Sequence, residues 1–360
     1  MEPIEQLIPE LIGVAANSYL GHTQAIQNIR LHSGVIPIAI FPSNHDHKVV
    51  WLDVGHYQFT EWKFKASIKN LTKNQSECRL FTTDIQLLTS NEIITDCLYP
   101  SAFIFHMSKC GSTLLARALA QSPHHIVMTE ASPLHENLWQ YLTHDWQQPV
   151  TTTENLTLIK NAILAMGRRR TAEQQAYFVK FRSWNVIFIE TIMRAFPDVP
   201  CLFLYRNPSE VLVSSTRELP MGQFRLKGTA AAAFMLNCST TATAEMSHLD
   251  YFKNLHERYF AAALNLTGGV TYLNYNQLSK QNFAKILQQT FRYTTTADQM
   301  ILMQNQFDYY SKDDKDSTRF ISDTEKKQKA VTPEIRAAVE QKLAVLYEQL
   351  EQSDRNFTHK

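Results

Sequence analysis

Five short, largely apolar runs set the limits on this fold: Ala102–His106, Ile126–Thr129, Ala176–Phe181, Cys201–Tyr205 and Val270–Asn274. Helical patterns follow them at Ser112–Gln121, Asn155–Met166, Trp184–Phe196, from Pro208 onward, and at Asn282–Phe291. A strand buried on both faces reads as an unbroken apolar run, and strands joined through helices run parallel. The alternation therefore predicts an α/β fold, a doubly wound parallel sheet with helices on both faces. A long helical stretch is expected over Thr229–Leu264. A last helix should open at Pro333, where a missing N–H costs nothing, and run to about Leu350.

Residues 1–99 read differently and are expected to form a small N-terminal α+β extension ahead of a domain at 100–360. They open with an amphipathic helical pattern over Ile4–Tyr19, continue through β-like runs at Val35–Phe41 and Val49–Val54, and reach a candidate helix at Phe59–Asn70. Tyr99-Pro100 marks the boundary, because a residue before proline is pushed out of helical conformation. The extension carries no motif with a derivable chemistry. Covering an acceptor site, dimerisation and partner binding are all open to it.

Charge narrows the function. Lys+Arg number 35 and Asp+Glu 34, a net +1, which argues against a nucleic-acid coat or a polybasic membrane anchor. No run reaches the roughly 18–20 apolar residues of a membrane span. Glu2, Glu5 and Glu10 precede the first basic residue, Arg30, against the charge order of a secretory signal. The five cysteines are scattered without a CxxC, so neither a zinc site nor a disulfide framework is expected, and the chain reads as cytoplasmic.

Two motifs carry chemistry. In the first, the strand FIFH passes through MSKCGST into the helix LLARALA. With ten glycines in the chain, Gly111 at a sharp turn is informative. Ser112 and Thr113 open the helix, whose first N–H groups lack internal partners and, with the helix dipole, attract an anion. Lys109 adds a full charge, and the loop reads as a phosphate cradle. It is not a Walker A loop, which needs GxxxxGK followed by Ser or Thr. The bland alternative is a strand–turn–helix with a stray lysine. In the second motif, VPCLFLYRNPSEVLVSS, a buried strand ends in Arg206, Asn207-Pro208 turns the chain, and Ser214 follows about two helical turns on. Arginine at the carboxyl end of a buried strand faces the ligand crevice and suits bidentate phosphate binding. The alternative is an arginine that caps a neighbouring helix or pairs with Glu210.

Together the motifs resemble those of the PAPS-dependent sulfotransferases, over residues 100–220 and loosely beyond. SKCGSTLL is similar to the family's 5′-phosphosulfate signature at Lys109, Gly111, Ser112 and Thr113, and YRNPSEVLVS to its 3′-phosphate signature, with Glu210 in place of Asp. The resemblance implies a P-loop-containing nucleotide-hydrolase-like sulfotransferase architecture and sulfonate transfer from PAPS, as co-substrate, to an acceptor hydroxyl or amine, without a metal. It implies that Lys109 stabilises the leaving charge, that Lys109, Cys110, Gly111, Ser112 and Thr113 hold the 5′ end, and that Arg206 and Ser214 hold the 3′-phosphate. The acceptor is then a small molecule, peptide or carbohydrate, and nucleic acid is not a partner.

The transfer needs a general base. Cytosolic members place a histidine in a Lys-x-His stretch, but the matching stretch here is Lys180-Phe181-Arg182. The branch that includes tyrosylprotein sulfotransferases and bacterial enzymes uses a glutamate after the second strand. Glu130 stands there, nineteen residues after Gly111, and Leu114 in place of the cytosolic Trp agrees with that branch. Glu130 is the expected base, the alternative being a carboxylate paired with a cation such as Arg182; Lys180 either contacts the sulfonate or snorkels at the surface.

Weaker signals remain. His45, Asp46, His47 and His56 read as solvated loop rather than a metal site, and His106 as a packing residue. Arg168–Arg170 end a helix and either complement its dipole or steer an anionic donor or acceptor. Lys326, Lys327 and Lys329 belong either to a solvated loop or to a lid over the 3′-phosphate. Acceptor contacts are expected from the loops 131–153 and 218–229, with Trp139, Tyr141 and Trp146 either lining that site or in the core. Two competing functions stay open: a nucleoside-triphosphate phosphotransferase, which needs magnesium, and a nucleotide-binding module without turnover.

Overall fold

The computed structural model describes residues 11, 13, 17–43, 46–74, 78–313 and 315–359. Most of the helix expected at Ile4–Tyr19, and His45, lie outside them. Five strands, β4 (Ala102–His106), β5 (His125–Thr129), β6 (Ala176–Lys180), β7 (Cys201–Tyr205) and β8 (Val270–Asn274), form one parallel sheet in the order β5-β6-β4-β7-β8. Every residue of all five is buried, as continuous apolar runs require. The sheet is the one the alternation predicts. From β4 the chain moves outward to the edge strand β5, returns to β6, then crosses to β7 and β8, so the winding reverses at β4. A crevice opens at such a switch point, outside the carboxyl ends of the strands.

Among its described residues the N-terminal part holds helix α1 (His22–Leu31) and a three-stranded antiparallel sheet of β1 (Val35–Ser43), β2 (Asp46–Asp53) and β3 (Leu80–Asp84). Between β2 and β3 lies α2 (Phe64–Asn74), which starts later than the expected Phe59. Its buried residues and those of the parallel sheet form one continuous core. Of the arginine triplet, Arg168 does complement a helix end, but that of α1: its guanidinium donates to the carbonyls of Ile29 (2.6 Å) and His32 (3.2 Å). It thereby ties the extension to the sheet domain.

On the sheet domain sit α3 (Ser112–Ala120), α4 (Glu136–Leu142), α5 (Thr153–Met166), α6 (Ile189–Ala195), α7 (Pro208–Arg217) and α8 (His248–Leu264). The stretch expected as one helix over Thr229–Leu264 is three, because Asn237 turns left-handed (φ 53°) and Ser239 and Ser247 cap fresh starts. Likewise the helix expected from Trp184 begins as a 3₁₀ turn at Ser183–Phe188, and only α6 is α-helical. The last helical segment carries a π-turn at Val339–Leu343. Trp139 is core, stacked on Phe188 with centroids 3.8 Å apart. Among the described residues no helix is long and apolar enough to cross a membrane.

Candidate active site

The carboxyl ends of all five parallel strands deliver polar residues to one edge of the sheet. β4 ends in His106 and the loop 107–111, β5 is followed by Glu130, β6 ends in Lys180, β7 is followed by Arg206, and β8 by Tyr275. The two sequence motifs therefore lie side by side, on the adjacent strands β4 and β7.

In the first loop Ser108 (φ 82°), Lys109 (φ 51°) and Gly111 (φ 84°) are left-handed, the kind of backbone that turns successive N–H groups into an anion-binding concavity. Gly111 needs its missing side chain twice over. Its φ is costly for other residues, and a Cβ there would lie 2.8 Å from the Tyr275 ring. No side chain caps α3, so its N–H groups stay available to an external acceptor. Ser112 is buried and Thr113 half-buried at that end. Cys110 contributes backbone alone. Its buried thiol donates to the Leu204 carbonyl (3.2 Å), and burial pushes its pKa up to about 11.

His106 holds the loop. Its Nδ1 accepts the Ser108 N–H (3.0 Å), so the ring proton sits on Nε2 and is donated to the Phe181 carbonyl (3.0 Å). Burial first, and Lys180 second, lower its pKa to about 3, which keeps the ring neutral. Lys109 reaches Glu218 at the end of α7 (3.1 Å), a carboxylate that is 81% exposed. The lysine is thus available to a stronger anion.

Arg206 is buried and fully engaged. It donates to Glu210 (2.6 Å), to Asp323 (3.1 Å) and to Thr324 (3.1 Å), and lies 4.1 Å over the Tyr275 ring. Both sequence readings of this arginine therefore meet, a pair with Glu210 and a place at the crevice. Ser214 back-bonds to the Glu210 carbonyl (2.9 Å), one turn along the same face. The short helix Thr324–Gln328 lies against α7, where Lys327 pairs with Asp323 (2.8 Å) and Gln328 donates to Glu210 (3.3 Å). Of the three lysines in that stretch, Lys327 joins the Arg206 cluster, and Lys326 and Lys329 face solvent.

On the other flank Lys180 is buried rather than snorkelling, and donates to Glu130 (2.5 Å). Arg182 lies 3.9 Å from the second Glu130 oxygen and 3.2 Å from Glu136 on α4, which also pairs with Arg225. Burial would raise the Glu130 pKa, but Lys180, then Arg182, outweigh it and hold the carboxyl far below its usual range. The pairing that the sequence raised as an alternative is thus present, with Lys180 as the nearer partner.

Sequence reasoning missed Glu136, Arg225, Tyr275 and Asp323. No local pattern marks them, because each reaches the site from a separate element. Asp46 and His47, expected in a solvated loop, instead open β2, with His47 buried and its N–H donating to Asp46 (2.7 Å), whereas His56 contacts the Arg170 carbonyl (2.7 Å).

A family model described as "Sulfotransferase family" matches residues 100–286, just over half of the 360 residues. No curated protein matches the chain in sequence. Among solved structures, the crystal structure of sulfotransferase STF9 from Mycobacterium avium is similar to it at 11% identity, with a TM-score of 0.37, covering 69% of this chain and 78% of that one.

Proposed function

This chain belongs to the sulfotransferase family, and we propose that it transfers a sulfonate group in line from PAPS to an acceptor hydroxyl, with Glu130 as general base. The observation that carries the reading is the pairing of an uncapped, left-handed loop on β4 with a buried arginine on β7, at the point where the winding reverses. A donor with phosphate groups at both its 5′ and 3′ positions matches two neighbouring anion sites. The loop N–H groups, Ser112, Thr113 and Lys109 serve the 5′-phosphosulfate. Arg206, Ser214 and Lys327 serve the 3′-phosphate, which on this reading displaces the Asp323 carboxylate from Arg206.

The acceptor oxygen forms its bond to sulfur as the bond from sulfur to the 5′-phosphate oxygen breaks. The acceptor proton passes to Glu130, and Lys109 offsets charge gathering on the leaving oxygen. While Lys180 is bonded to Glu130, that carboxylate is a weak base. A sulfonate arriving beside Lys180 competes for the lysine and adds negative charge nearby, and both effects raise the proton affinity of Glu130. On this account the base is armed by the donor.

Calorimetric titration with adenosine 3′,5′-bisphosphate, in parallel with magnesium–ATP and repeated on Arg206→Ala, tests the donor. Tight binding of the bisphosphate alone, lost in the variant, is expected. Preference for magnesium–ATP overturns the reading in favour of phosphoryl transfer.

A further inference from the structure

Nε of Arg182 is a buried N–H without a hydrogen-bond partner among the described residues. Oε2 of Glu130 stands 3.9 Å from it. No group among the described residues donates to that oxygen: Lys180 donates to Oε1, and Nε2 of His106 lies 3.9 Å from Oε1. A guanidinium and a carboxylate normally close to about 2.7–2.9 Å, so this pair stops about 1 Å short of a bond that both sides lack. Leaving a buried N–H unmade is costly, so something else must hold the arginine back.

Glu136 does so. Its Oε1 accepts from Nη1 of Arg182 (3.2 Å) and also from Nη2 of Arg225. The carboxylate stands at the start of α4, which is anchored on two sides. Asn137 donates to the Ile40 carbonyl of β1 (2.6 Å). Trp139 and Asn185 both donate to the Leu134 carbonyl (3.2 and 3.0 Å). Arg225 comes from the loop 218–229, which Gln223 ties down: its amide donates to Ser183 (2.9 Å) and Tyr259 (3.1 Å), and its carbonyl accepts from Tyr251 (3.1 Å). The Arg182 guanidinium rests against the same loop, where a Cβ on Gly222 would lie 3.6 Å from its central carbon. Arg182 is thus placed between two carboxylates, and the one that also carries Arg225 holds it.

We propose that Glu136 is a positioning residue for sulfonate transfer: by holding Arg182 it keeps Oε2 of Glu130 free to take the acceptor's proton. Were the guanidinium bonded there, each Glu130 oxygen would carry a cation, and the carboxylate would hold a proton too weakly to act as base. The Glu130 side chain is 16% exposed, so a hydroxyl in the crevice can reach it. The proposal rests on Glu130 as base under the sulfonate-transfer reading, and adds the residue that keeps that base open.

Crystal structures of the full-length enzyme with adenosine 3′,5′-bisphosphate, as wild type and as Glu136→Ala, test it. Release of labelled sulfate from sulfur-35 PAPS, with water standing in for the acceptor, reads the rate. Arg182 is expected to stay clear of Glu130 in the wild type and to close to hydrogen-bond distance of Oε2 in Glu136→Ala. Turnover should then fall by about tenfold or more, with KM for PAPS and bisphosphate affinity unchanged. Glu136→Gln keeps an oxygen for Arg182 and should lose much less. Adding Arg182→Met to Glu136→Ala should recover about fivefold or more of the loss, which a merely structural role for Glu136 would not allow. An Arg182 that stays clear of Oε2 in Glu136→Ala, or a double variant as slow as Glu136→Ala, overturns the proposal; where water is turned over too slowly to read, the structures decide it alone. A wild type that does not bind the bisphosphate overturns the donor reading, and a fully active Glu130→Gln overturns the base, each taking the proposal with it.

Discussion

Glu130 and Lys180 are tied in both directions: the lysine ammonium donates to the glutamate carboxylate (2.5 Å), and the glutamate N–H donates to the lysine carbonyl (2.7 Å). The second bond holds Glu130 in a left-handed conformation (φ 53°) at the end of β5, so the backbone fixes where the carboxylate stands. The first sets how strongly it holds a proton.

Substitution of Glu130 should therefore separate chemistry from stability. Glu130→Gln keeps an acceptor for Lys180 and removes the proton site. Turnover should fall by about 10²–10⁴-fold, the usual share of a general base, with bisphosphate affinity unchanged. Glu130→Ala leaves the Lys180 ammonium buried without a partner, which costs about 3–5 kcal/mol. Urea denaturation of the two variants reads the difference. Full activity in Glu130→Gln removes it from the base role.

Lys109→Ala behaves in the opposite sense. Its partner Glu218 is 81% exposed and rehydrates at little cost, so unfolding free energy should move by under about 0.5 kcal/mol. Turnover should drop on the order of a hundredfold or more if the ammonium meets charge that develops in the transition state. A variant that loses donor affinity and keeps kcat would limit Lys109 to ground-state binding.

The sheet was legible because strands buried on both faces leave apolar runs that no surface helix tolerates, and because Gly111 and Pro208 punctuate the two loops that matter. The sequence could place Glu130, Lys180 and Arg206 at one sheet edge because each ends or directly follows such a strand, and Lys109 and Gly111 because they lie in the loop after β4. The breaks at Asn237, Ser239 and Ser247 were written as cap residues, yet the apolar pattern through Thr229–Leu264 masked them. Asp323 was illegible for another reason. It lies 117 residues after Arg206, and only the packed chain brings the two together.

Stability should fall early on the acid side. His106 and His256 are held down to about 3 and His125 to about 4, in each case chiefly by burial, so all three are neutral in the native state. Unfolded histidine titrates near 6.5. Each ring's contribution is thus complete above about pH 6.5 and is lost as pH falls towards its native value, at up to about 1.4 kcal/mol per pH unit. His125 accepts the Tyr293 hydroxyl proton at Nε2 (2.7 Å) and donates from Nδ1 to the Leu119 carbonyl (2.7 Å), and His125→Gln removes one titrating ring. Thermal unfolding from pH 7 to 4.5 should show a falling Tm, with a shallower slope in the variant. A flat profile down to pH 5 would contradict the neutral rings.

Arg206 gives the sharpest contrast, because two acidic residues already hold it. Glu210 is as buried as the arginine and stays, whereas the Asp323 side chain is half exposed and stands just before the short helix Thr324–Gln328. With its carboxylate half in solvent, such a pair is worth about 1 kcal/mol, so removing the carboxylate with Asp323→Asn should tighten adenosine 3′,5′-bisphosphate binding by about two- to fivefold. Arg206→Ala should weaken it by about 1.5–3 kcal/mol, roughly ten- to more than a hundredfold. In the double variant the gain from Asp323→Asn should vanish, since the carboxylate competes only where the guanidinium is present. Calorimetry on the four proteins measures this coupling, and an Asp323→Asn gain that persists without Arg206 would mean that the carboxylate repels the bisphosphate through space instead of occupying its place.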